Sequence, residues 1–297
     1  MNNSIIVLAG ATGALGGCIA KALLERGANV RVIVRNGSSP DRVAKLQKQG
    51  AAIAEVDFNS VPELTGACQG GSCVISALSG LREVIVEKQT LLLEAAIKAG
   101  VPRFMPSDYS IDFTKLHPGT NRNLDLRREF RERLDQAPIA ATSILNGMFT
   151  NLLTGPAPMI LFKLKRVVYW ENADQLLDFT TIDDTAKFTA AAALDSATPR
   201  FWRVAGDQIS ARGLVEVLSK VTGEKFSLFR GGGLKRLDII IKIARAIFPQ
   251  SKELYPPWQG MQYFHNMFSG NAKLEPLDND RYPAMRWTKV REVLAAR

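Results

Sequence analysis

The chain has 297 residues, of which 46% are hydrophobic and 23% charged, and its formal net charge is +9. A chain of this length buries about three quarters of its unfolded surface, and its composition excludes a disordered or low-complexity protein. Three cysteines and two histidines form neither a disulfide framework nor a metal-binding motif, so we predict no metal site. We expect a cytoplasmic protein, because the N-terminus lacks the pattern of a signal peptide and no window reaches roughly 18 consecutive apolar residues.

Short apolar runs alternate with amphipathic segments through the first half of the chain. The segments Leu15 to Arg26 and Glu83 to Ala99 have helical periodicity and end before Gly27 and Gly100, as helices commonly do. This alternation predicts a parallel sheet covered by helices on both faces, which is a doubly wound α/β fold. The predicted strands are residues 5–9, 30–34, 51–56, 73–76, 103–105 and 141–145.

The pattern becomes irregular after about residue 150. Residues 155–158 (Gly-Pro-Ala-Pro) break the chain, and the segments that follow do not repeat the earlier alternation. We predict a nucleotide-binding domain at 1–154 and a smaller α+β substrate-binding region at 155–297, partly interleaved with the end of the sheet. Predicted elements of that region are strands at 166–170 and 201–204 and helices at 185–194, 211–221 and 234–248.

A glycine-rich segment, Gly10-Ala-Thr-Gly13-Ala-Leu-Gly16-Gly17, follows the first predicted strand and opens the first predicted helix. Glycines at such a turn let the main chain approach a pyrophosphate, and the N–H groups and dipole of the helix then bind the anion. The spacing Gly-x-x-Gly-x-x-Gly differs from the more familiar Gly-x-Gly-x-x-Gly. Strand, loop, helix and second strand are nevertheless in register, which predicts a Rossmann-type dinucleotide-binding domain.

The residue at the end of the second strand indicates which dinucleotide is bound. NAD-binding sites usually carry Asp or Glu there, whereas an arginine accommodates the 2′-phosphate of NADP. This chain has Arg35 at that position, and the first acid after it is Asp41. A guanidinium forms paired bonds with a phosphate, whereas a carboxylate repels it. The sequence therefore favours NADP(H) over NAD(H).

Taken together, these motifs resemble the NmrA-like and isoflavone-reductase-like branch of the atypical short-chain dehydrogenases. Val101 to Tyr109 (VPRFMPSDY) is similar to the family segment after strand five, which usually reads closer to Arg-Phe-Leu-Pro-Ser-Glu-Phe. Val74 to Leu78 is similar to the segment after strand four, and residues 178–186 and 263–285 look like further family features. The resemblance spans nearly the whole chain.

The resemblance implies a residue set for each part of the cofactor. The loop would bind the pyrophosphate, the end of the second strand the 2′-phosphate, residues after the third strand the adenine, and the remaining segments the nicotinamide side. In that order the implied residues are Gly10, Thr12, Gly13, Ala14, Leu15 and Gly16; Arg35, Ser38 and Lys45; Asp57 and Phe58; and Ser76, Ala77, Leu78, Pro106, Ser107, Asn146 and Phe149.

Catalytic residues are harder to assign. No tyrosine is followed by lysine in the Tyr-x-x-x-Lys pattern of standard short-chain dehydrogenases. In isoflavone-reductase-like enzymes a lysine precedes strand six, and counting along the resemblance places Arg127 there. Tyr109 is a candidate proton donor and Ser107 could orient a substrate oxygen. The alternatives are that Tyr109 lines an apolar pocket and that Arg127 belongs to a charged helix surface with pairs such as Glu129–Arg133.

Two functions from different classes remain open. The first is an NADPH-dependent oxidoreductase acting on a small aromatic carbonyl, quinone or alkene-type substrate. The second is a non-catalytic NADP(H)-binding regulator or redox sensor, because the family that the chain resembles also includes such proteins. Residues 225–252 hold seven basic residues and one acid, and could face an anionic ligand, a nucleic acid or a membrane surface, or simply solvent. We expect no nucleic-acid partner, because no base-stacking module accompanies this stretch. His265 shows no carboxylate partner in the sequence.

Overall fold

A computed structural model describes residues 4–155, 159–249 and 252–297. The chain forms two compact units, and each is assembled from three separate stretches. The first unit comprises Met1–Asp108, Leu126–Ile144 and Ile182–Trp202, and the second comprises Tyr109–Asp125, Leu145–Thr181 and Arg203–Arg297. The division at residues 154 and 155 stays a prediction, and residues 156–158 of the predicted chain break lie outside the described residues.

Six parallel strands form the sheet of the first unit within the described residues, in the order β3-β2-β1-β4-β5-β6. This arrangement confirms the predicted doubly wound fold, and the order reverses between β1 and β4, where such sheets bind their ligands. The strands are β1 (Ile5–Ala9), β2 (Asn29–Arg35), β3 (Ala52–Val56), β4 (Gly71–Ser76), β5 (Arg103–Met105) and β6 (Ala140–Ala141).

Helices pack against this sheet and supply half of its core. Phe104 of β5 contacts Phe130 with ring centroids 6.1 Å apart, in a cluster that also contains Leu92 and Leu134. Ser60 caps the third helix by accepting a hydrogen bond from the main-chain N–H of Glu63. The helices are α1 (Ala14–Leu24), α2 (Pro40–Lys48), α3 (Val61–Cys68), α4 (Gln89–Lys98), α5 (Arg122–Asp135) and α6 (Ile182–Leu194).

Two predicted elements of the first unit differ from the structure. The helix predicted at 83–99 begins as a π-helical segment, Glu83–Lys88, before α4. The strand predicted at 141–145 is divided into β6 and Ser143–Leu145 (β7). The strand is divided because its hydrogen-bond partner changes. The N–H of Thr142 donates to the carbonyl oxygen of Phe104 in β5, whereas the N–H of Ser143 donates to the carbonyl oxygen of Arg200.

The second unit combines small sheets with helices. In the described residues its sheets have the orders β14-β10-β9 and β13-β11-β8. A further pair joins β7 to β12, two strands whose residues belong mostly to the first unit. A helix at Pro257–Phe268 was not predicted, although proline is well tolerated in the first helical turn. No helix of the described residues has the length and hydropathy required to cross a bilayer. The further elements are β8 (Met148–Phe149), β9 (Ile160–Leu161), β10 (Arg166–Trp170), β11 (Leu177–Thr180), β12 (Phe201–Arg203), β13 (Asp207–Ile209), β14 (Ser227–Gly232), α7 (Ala211–Thr222), α8 (Leu234–Ile247), α9 (Pro257–Phe268) and α10 (Val290–Ala295).

Two glycines allow β1, β4 and α1 to meet closely. Gly10 has φ of +90°, and a Cβ atom there would lie 2.5 Å from the carbonyl oxygen of Ala77, just after β4. A Cβ atom at Gly16, in the first turn of α1, would lie 2.2 Å from the carbonyl oxygen of Gly10. Main chain therefore packs directly on main chain at this turn, and only glycine fits at either position.

Gly16→Ala should lower the free energy of unfolding by about 2 kcal/mol or more, because the new methyl group meets rigid main chain. Gly66→Ala is the matched control, since Gly66 also lies within a helix and its Cβ would meet nothing within 4 Å. That variant should gain about 0.5–1 kcal/mol from helix propensity. Urea unfolding measures both, and equal effects of the two substitutions would contradict the close approach described for Gly16.

Candidate functional site

The N-terminus of α1 is arranged to bind an anion. Gly13 is the N-cap, it supplies no side-chain cap, and the first turn contains no acidic residue. The N–H of Gly13 donates to the carbonyl oxygen of Gly10 over 3.0 Å, which closes the turn. The N–H groups of Ala14, Leu15 and Gly16 open the helix, where its dipole is positive. This geometry suits the pyrophosphate of a dinucleotide.

Cationic side chains lie around the adjoining end of β2. Arg35 ends that strand with an exposed side chain. Ser38 closes the following turn, because its N–H and its hydroxyl donate to the carbonyl oxygen of Arg35 over 3.1 and 2.7 Å. This turn leads into α2, where Arg42 Nη1 donates to the carbonyl oxygen of Thr12 in the glycine loop over 3.1 Å.

Arg42 is a candidate site residue that the sequence reasoning missed. Its hydrogen bond fixes a second guanidinium beside the loop, while Lys45 follows three residues later on the same helix. The signal that could have found it is this i, i+3 pair of cations directly after Arg35. Arg35 at the end of β2 and Arg42 and Lys45 on α2 are cations of the kind that binds a phosphate group, and their contact with a 2′-phosphate stays a prediction.

The two residues predicted near the adenine are engaged in local structure. The carboxylate of Asp57 accepts hydrogen bonds from the main-chain and side-chain nitrogens of Asn59, both over 2.9 Å. Phe58 is partly buried and packs against the core cluster of the sheet. Contacts of these two residues with a cofactor stay a prediction.

Residues predicted for the nicotinamide side meet in the first unit. Ser107 links several of them: its hydroxyl donates to the carbonyl oxygen of Leu78 over 2.6 Å, and its N–H donates to Gln89 Oε1 over 2.9 Å. Ala77 donates to the carbonyl oxygen of Ala9 at the end of β1. Pro106, directly before Ser107, is buried. The loops after β1, β4 and β5 are thereby connected.

The hydroxyl group of Ser76 indicates whether the predicted nicotinamide side suits a polar ligand. Its side chain is fully buried at the end of β4, and its hydroxyl has no hydrogen-bond partner in the part of the chain that the structure describes. A buried hydroxyl without a partner costs free energy, which a ligand at this edge could recover. Together with the uncapped N-terminus of α1, Ser76 shows that these residues fit a dinucleotide.

The side chain of Arg127 contacts the main chain at Ser107, so Arg127 is more than part of a charged helix surface. Its Nε donates to the carbonyl oxygen of Ser107 over 3.1 Å. The surface pair expected nearby is also present, because Arg133 contacts Glu129 over 3.2 Å. The same helix therefore directs Arg127 to the segment after β5 and places the Glu129–Arg133 pair at its surface. Whether Arg127 takes part in catalysis stays a prediction.

A buried carboxylate, Asp108, was not predicted as a site residue. It is almost completely buried, and its Oδ2 accepts a hydrogen bond from the hydroxyl of Ser143 over 2.6 Å. Arg200 Nη1 in turn donates to that hydroxyl over 2.6 Å, while its Nε donates to Asp135 over 2.9 Å. Burial raises the pKa of Asp108, whereas the Ser143 hydrogen bond and the charge of Arg127 oppose that rise.

Three predicted site residues belong to the second unit. Tyr109 is buried, and Phe149 is partly buried at the end of β8. Asn146 is fully buried, its N–H donates to the carbonyl oxygen of Ser110 over 2.9 Å, and both polar atoms of its side chain lack a partner among the described residues. The first unit thus brings together the glycine loop, the segments around Ala77 and Ser107, and Arg127.

His265 has a carboxylate partner that is not visible in the sequence. Its Nε2 lies 3.3 Å from Asp238 Oδ1. The two residues are 27 positions apart and come from helices α9 and α8, which pack against each other, so only the tertiary structure reveals the pair.

Comparison with known proteins explains these motifs. The sequence model of the NmrA-like family matches residues 2–255, most of the chain. The chain belongs to the NmrA-like family. This confirms the resemblance that the glycine loop, Arg35 and the segment after β5 indicated.

Several proteins similar to this chain are reductases or oxidoreductases by name. A bifunctional pinoresinol-lariciresinol reductase of Linum usitatissimum is 28% identical over 243 residues, which cover 76% of this chain and 77% of that protein. The structure of AtPrR2 with NADP+ and (+)pinoresinol has a TM-score of 0.85 at 22% identity, covering 100% and 99% of the two chains. An NADPH-dependent quinone oxidoreductase from Escherichia coli, complexed with NADPH, has a TM-score of 0.78 at 18% identity, covering 98% and 99%.

Burial of Asp108 predicts a specific pH dependence of stability. Because its pKa in the folded protein lies above the ordinary carboxyl value of 3.8, the folded state keeps a proton that the unfolded state has lost. The free energy of unfolding therefore falls as pH rises from 3.8 through the raised pKa of Asp108.

Asp108→Asn should remove this contribution, so that its stability relative to the wild type increases as pH rises. Ser143→Ala should extend the affected range to higher pH, because it removes a hydrogen bond that lowers the pKa of Asp108. Urea unfolding from acidic to neutral pH measures these slopes. Identical pH profiles of the wild type and Asp108→Asn would contradict the raised pKa.

Proposed function

We propose that the chain is an NADPH-dependent oxidoreductase that reduces a small aromatic carbonyl, quinone or alkene-type substrate. One observation carries this proposal: at the point where the strand order reverses, an uncapped helix N-terminus follows a loop that Arg42 contacts, and Arg35 ends the neighbouring strand β2. Backbone N–H groups recognise a diphosphate, and neighbouring guanidinium groups recognise an additional phosphate. The NADP+ and NADPH complexes of proteins with the same fold support this cofactor.

The substrate class is supported by the named relatives. Pinoresinol and quinones are aromatic or related to aromatic compounds, and proteins of this fold that act on them include both a plant reductase and a bacterial oxidoreductase. We propose a cytoplasmic protein with a small-molecule substrate. Its cysteines suit that compartment, because Cys68 and Cys73 are free thiols whose pKa burial raises to about 11, so they stay protonated and unreactive.

The residues after β5 set limits on the mechanism. The bound dinucleotide would supply the hydride, while the protein positions the substrate and manages its charge. Ser107 already donates its hydroxyl proton to Leu78, so it acts as a hydrogen-bond acceptor when it orients a substrate. Arg127 stays charged in a protein and provides a fixed positive charge next to Ser107 rather than a proton. Tyr109 is the residue that we propose as proton donor.

NADPH oxidation measured against a panel of quinones and aromatic carbonyls tests this function. The wild type should turn over at least one acceptor. Tyr109→Phe should reduce kcat by about a hundredfold, as expected for loss of a general acid. Arg127→Ala should also reduce turnover, whereas Arg133→Ala, which removes an exposed arginine of the same helix, should retain wild-type activity.

One result would contradict the proposed function, and another would contradict only the proposed catalytic residues. If NADPH binds tightly but no acceptor is reduced, the chain is instead a non-catalytic regulator or redox sensor. If turnover is observed but neither Tyr109→Phe nor Arg127→Ala changes it, the oxidoreductase stands and the assignment of these two residues is wrong.

A further inference from the structure

Helix α8 is apolar on two opposite sides. Leu237 and Ile241 are buried and face the rest of the second unit. On the other side Ile239, Ile243 and Ile247 are 57%, 53% and 62% exposed. These three residues are spaced i, i+4 and i+8, so they form one continuous row on the helix surface, which we name the isoleucine stripe. An ordinary surface helix has polar residues in this position.

Further exposed apolar side chains lie close to the stripe in the sequence. Ten large hydrophobic residues are exposed in the described part of the chain, and six of them lie between residues 229 and 255. Contiguous exposed apolar surface in a folded protein marks an interaction site, whereas single exposed residues need no explanation. The six are Phe229, Ile239, Ile243, Ile247, Phe248 and Tyr255.

Basic side chains flank the stripe. With about 100° between successive residues of a helix, Lys235 and Lys242 lie on one side of Ile239 and Arg236 lies on the other. All three side chains are exposed. The only acid of residues 225–252 is Asp238, and it lies 3.3 Å from His265 on α9. Among the residues of α8 the charge beside the stripe is therefore mainly positive, while the carboxylate of Glu171 accepts a hydrogen bond from the N–H of Leu234 at the start of the helix.

We propose that the isoleucine stripe and its basic flanks dock on an anionic phospholipid surface, with α8 lying in the plane of the headgroups. An apolar face bordered by Lys and Arg is the pattern of interfacial helices. The 14 residues of α8 span only about 21 Å, whereas the hydrocarbon core of a bilayer is about 30 Å thick, so the helix lies on the surface and does not cross it.

Charge and size disfavour other occupants. A symmetric contact with a second copy of the chain would bring together two surfaces that each carry Lys235, Arg236 and Lys242, and like charges across an interface are repulsive. A stable protein interface uses about 20–30 residues on each side, far more than the stripe and its flanks provide. Anionic headgroups instead neutralise the flanks while the acyl boundary buries the stripe, and this attraction weakens as salt increases.

Vesicle co-sedimentation of the full chain tests this proposal. The wild type should bind vesicles of equimolar phosphatidylcholine and phosphatidylserine, should bind pure phosphatidylcholine weakly, and should dissociate as salt is raised. Ile239→Ser combined with Ile243→Ser should reduce the partition coefficient more than about tenfold. Lys235→Ala and Lys242→Ala should each reduce it roughly fivefold. Thermal unfolding of every variant shows that each is folded.

Matched controls separate docking from general surface effects. Leu164 is 68% exposed in the same unit but outside the stripe, and Lys220 is an exposed lysine of α7, so Leu164→Ser and Lys220→Ala should bind like the wild type. The proposal is overturned if the wild type does not bind the anionic vesicles at low salt, or if these controls lose as much binding as the stripe variants. It is also overturned if the stripe variants abolish only a self-association that vesicles do not affect.

Discussion

The close approach of main chain to main chain at Gly10 determines the arrangement of the candidate nucleotide site. A side chain at Gly10 would collide with Ala77, and one at Gly16 would collide with Gly10 itself. Because neither collision occurs, α1 begins immediately beside the ends of β1 and β4, with its first N–H groups directed to the edge where the sheet order reverses. The same turn also lies near α2, because Arg42 of that helix donates a hydrogen bond to the carbonyl oxygen of Thr12. The phosphate-binding groups thus depend on two positions that tolerate no Cβ atom.

A series of hydrogen bonds connects the loop after β4 to the segment after β5 and, through Arg200 and Asp135, to the end of α5. Ser107 bonds to Leu78 and to Arg127, and its neighbour Asp108 bonds to Ser143, which contacts Arg200. A carboxylate buried in this way is costly unless it is hydrogen bonded or near positive charge, and both conditions hold for Asp108. The segment that carries the proposed catalytic residues is therefore held by groups on distant parts of the sequence, with Arg200 contributing from the third stretch of the first unit.

The sequence was sufficient to predict the sheet, the glycine loop and the family, because those depend on local periodicity and on glycine spacing. It did not reveal Arg42, whose role depends on the turn that Ser38 closes, nor the chain from Asp108 to Arg200, which joins residues 92 positions apart. The pair of His265 with Asp238 was missed for the same reason. The π-helical start before α4 and the division of the last strand depend on which hydrogen-bond partners compete, and a periodic pattern does not record that competition.

Calorimetric titration with NADPH and NADH, on the wild type and on Arg35→Ala, measures most directly whether the glycine turn and its guanidinium neighbours form the cofactor site. The wild type should bind NADPH more tightly than NADH. Arg35→Ala should weaken NADPH binding by about tenfold, the effect of losing one charge-assisted contact, while NADH binding stays the same. Absence of heat from both cofactors on folded protein, or tighter binding of NADH than of NADPH by the wild type, would contradict the cofactor assignment.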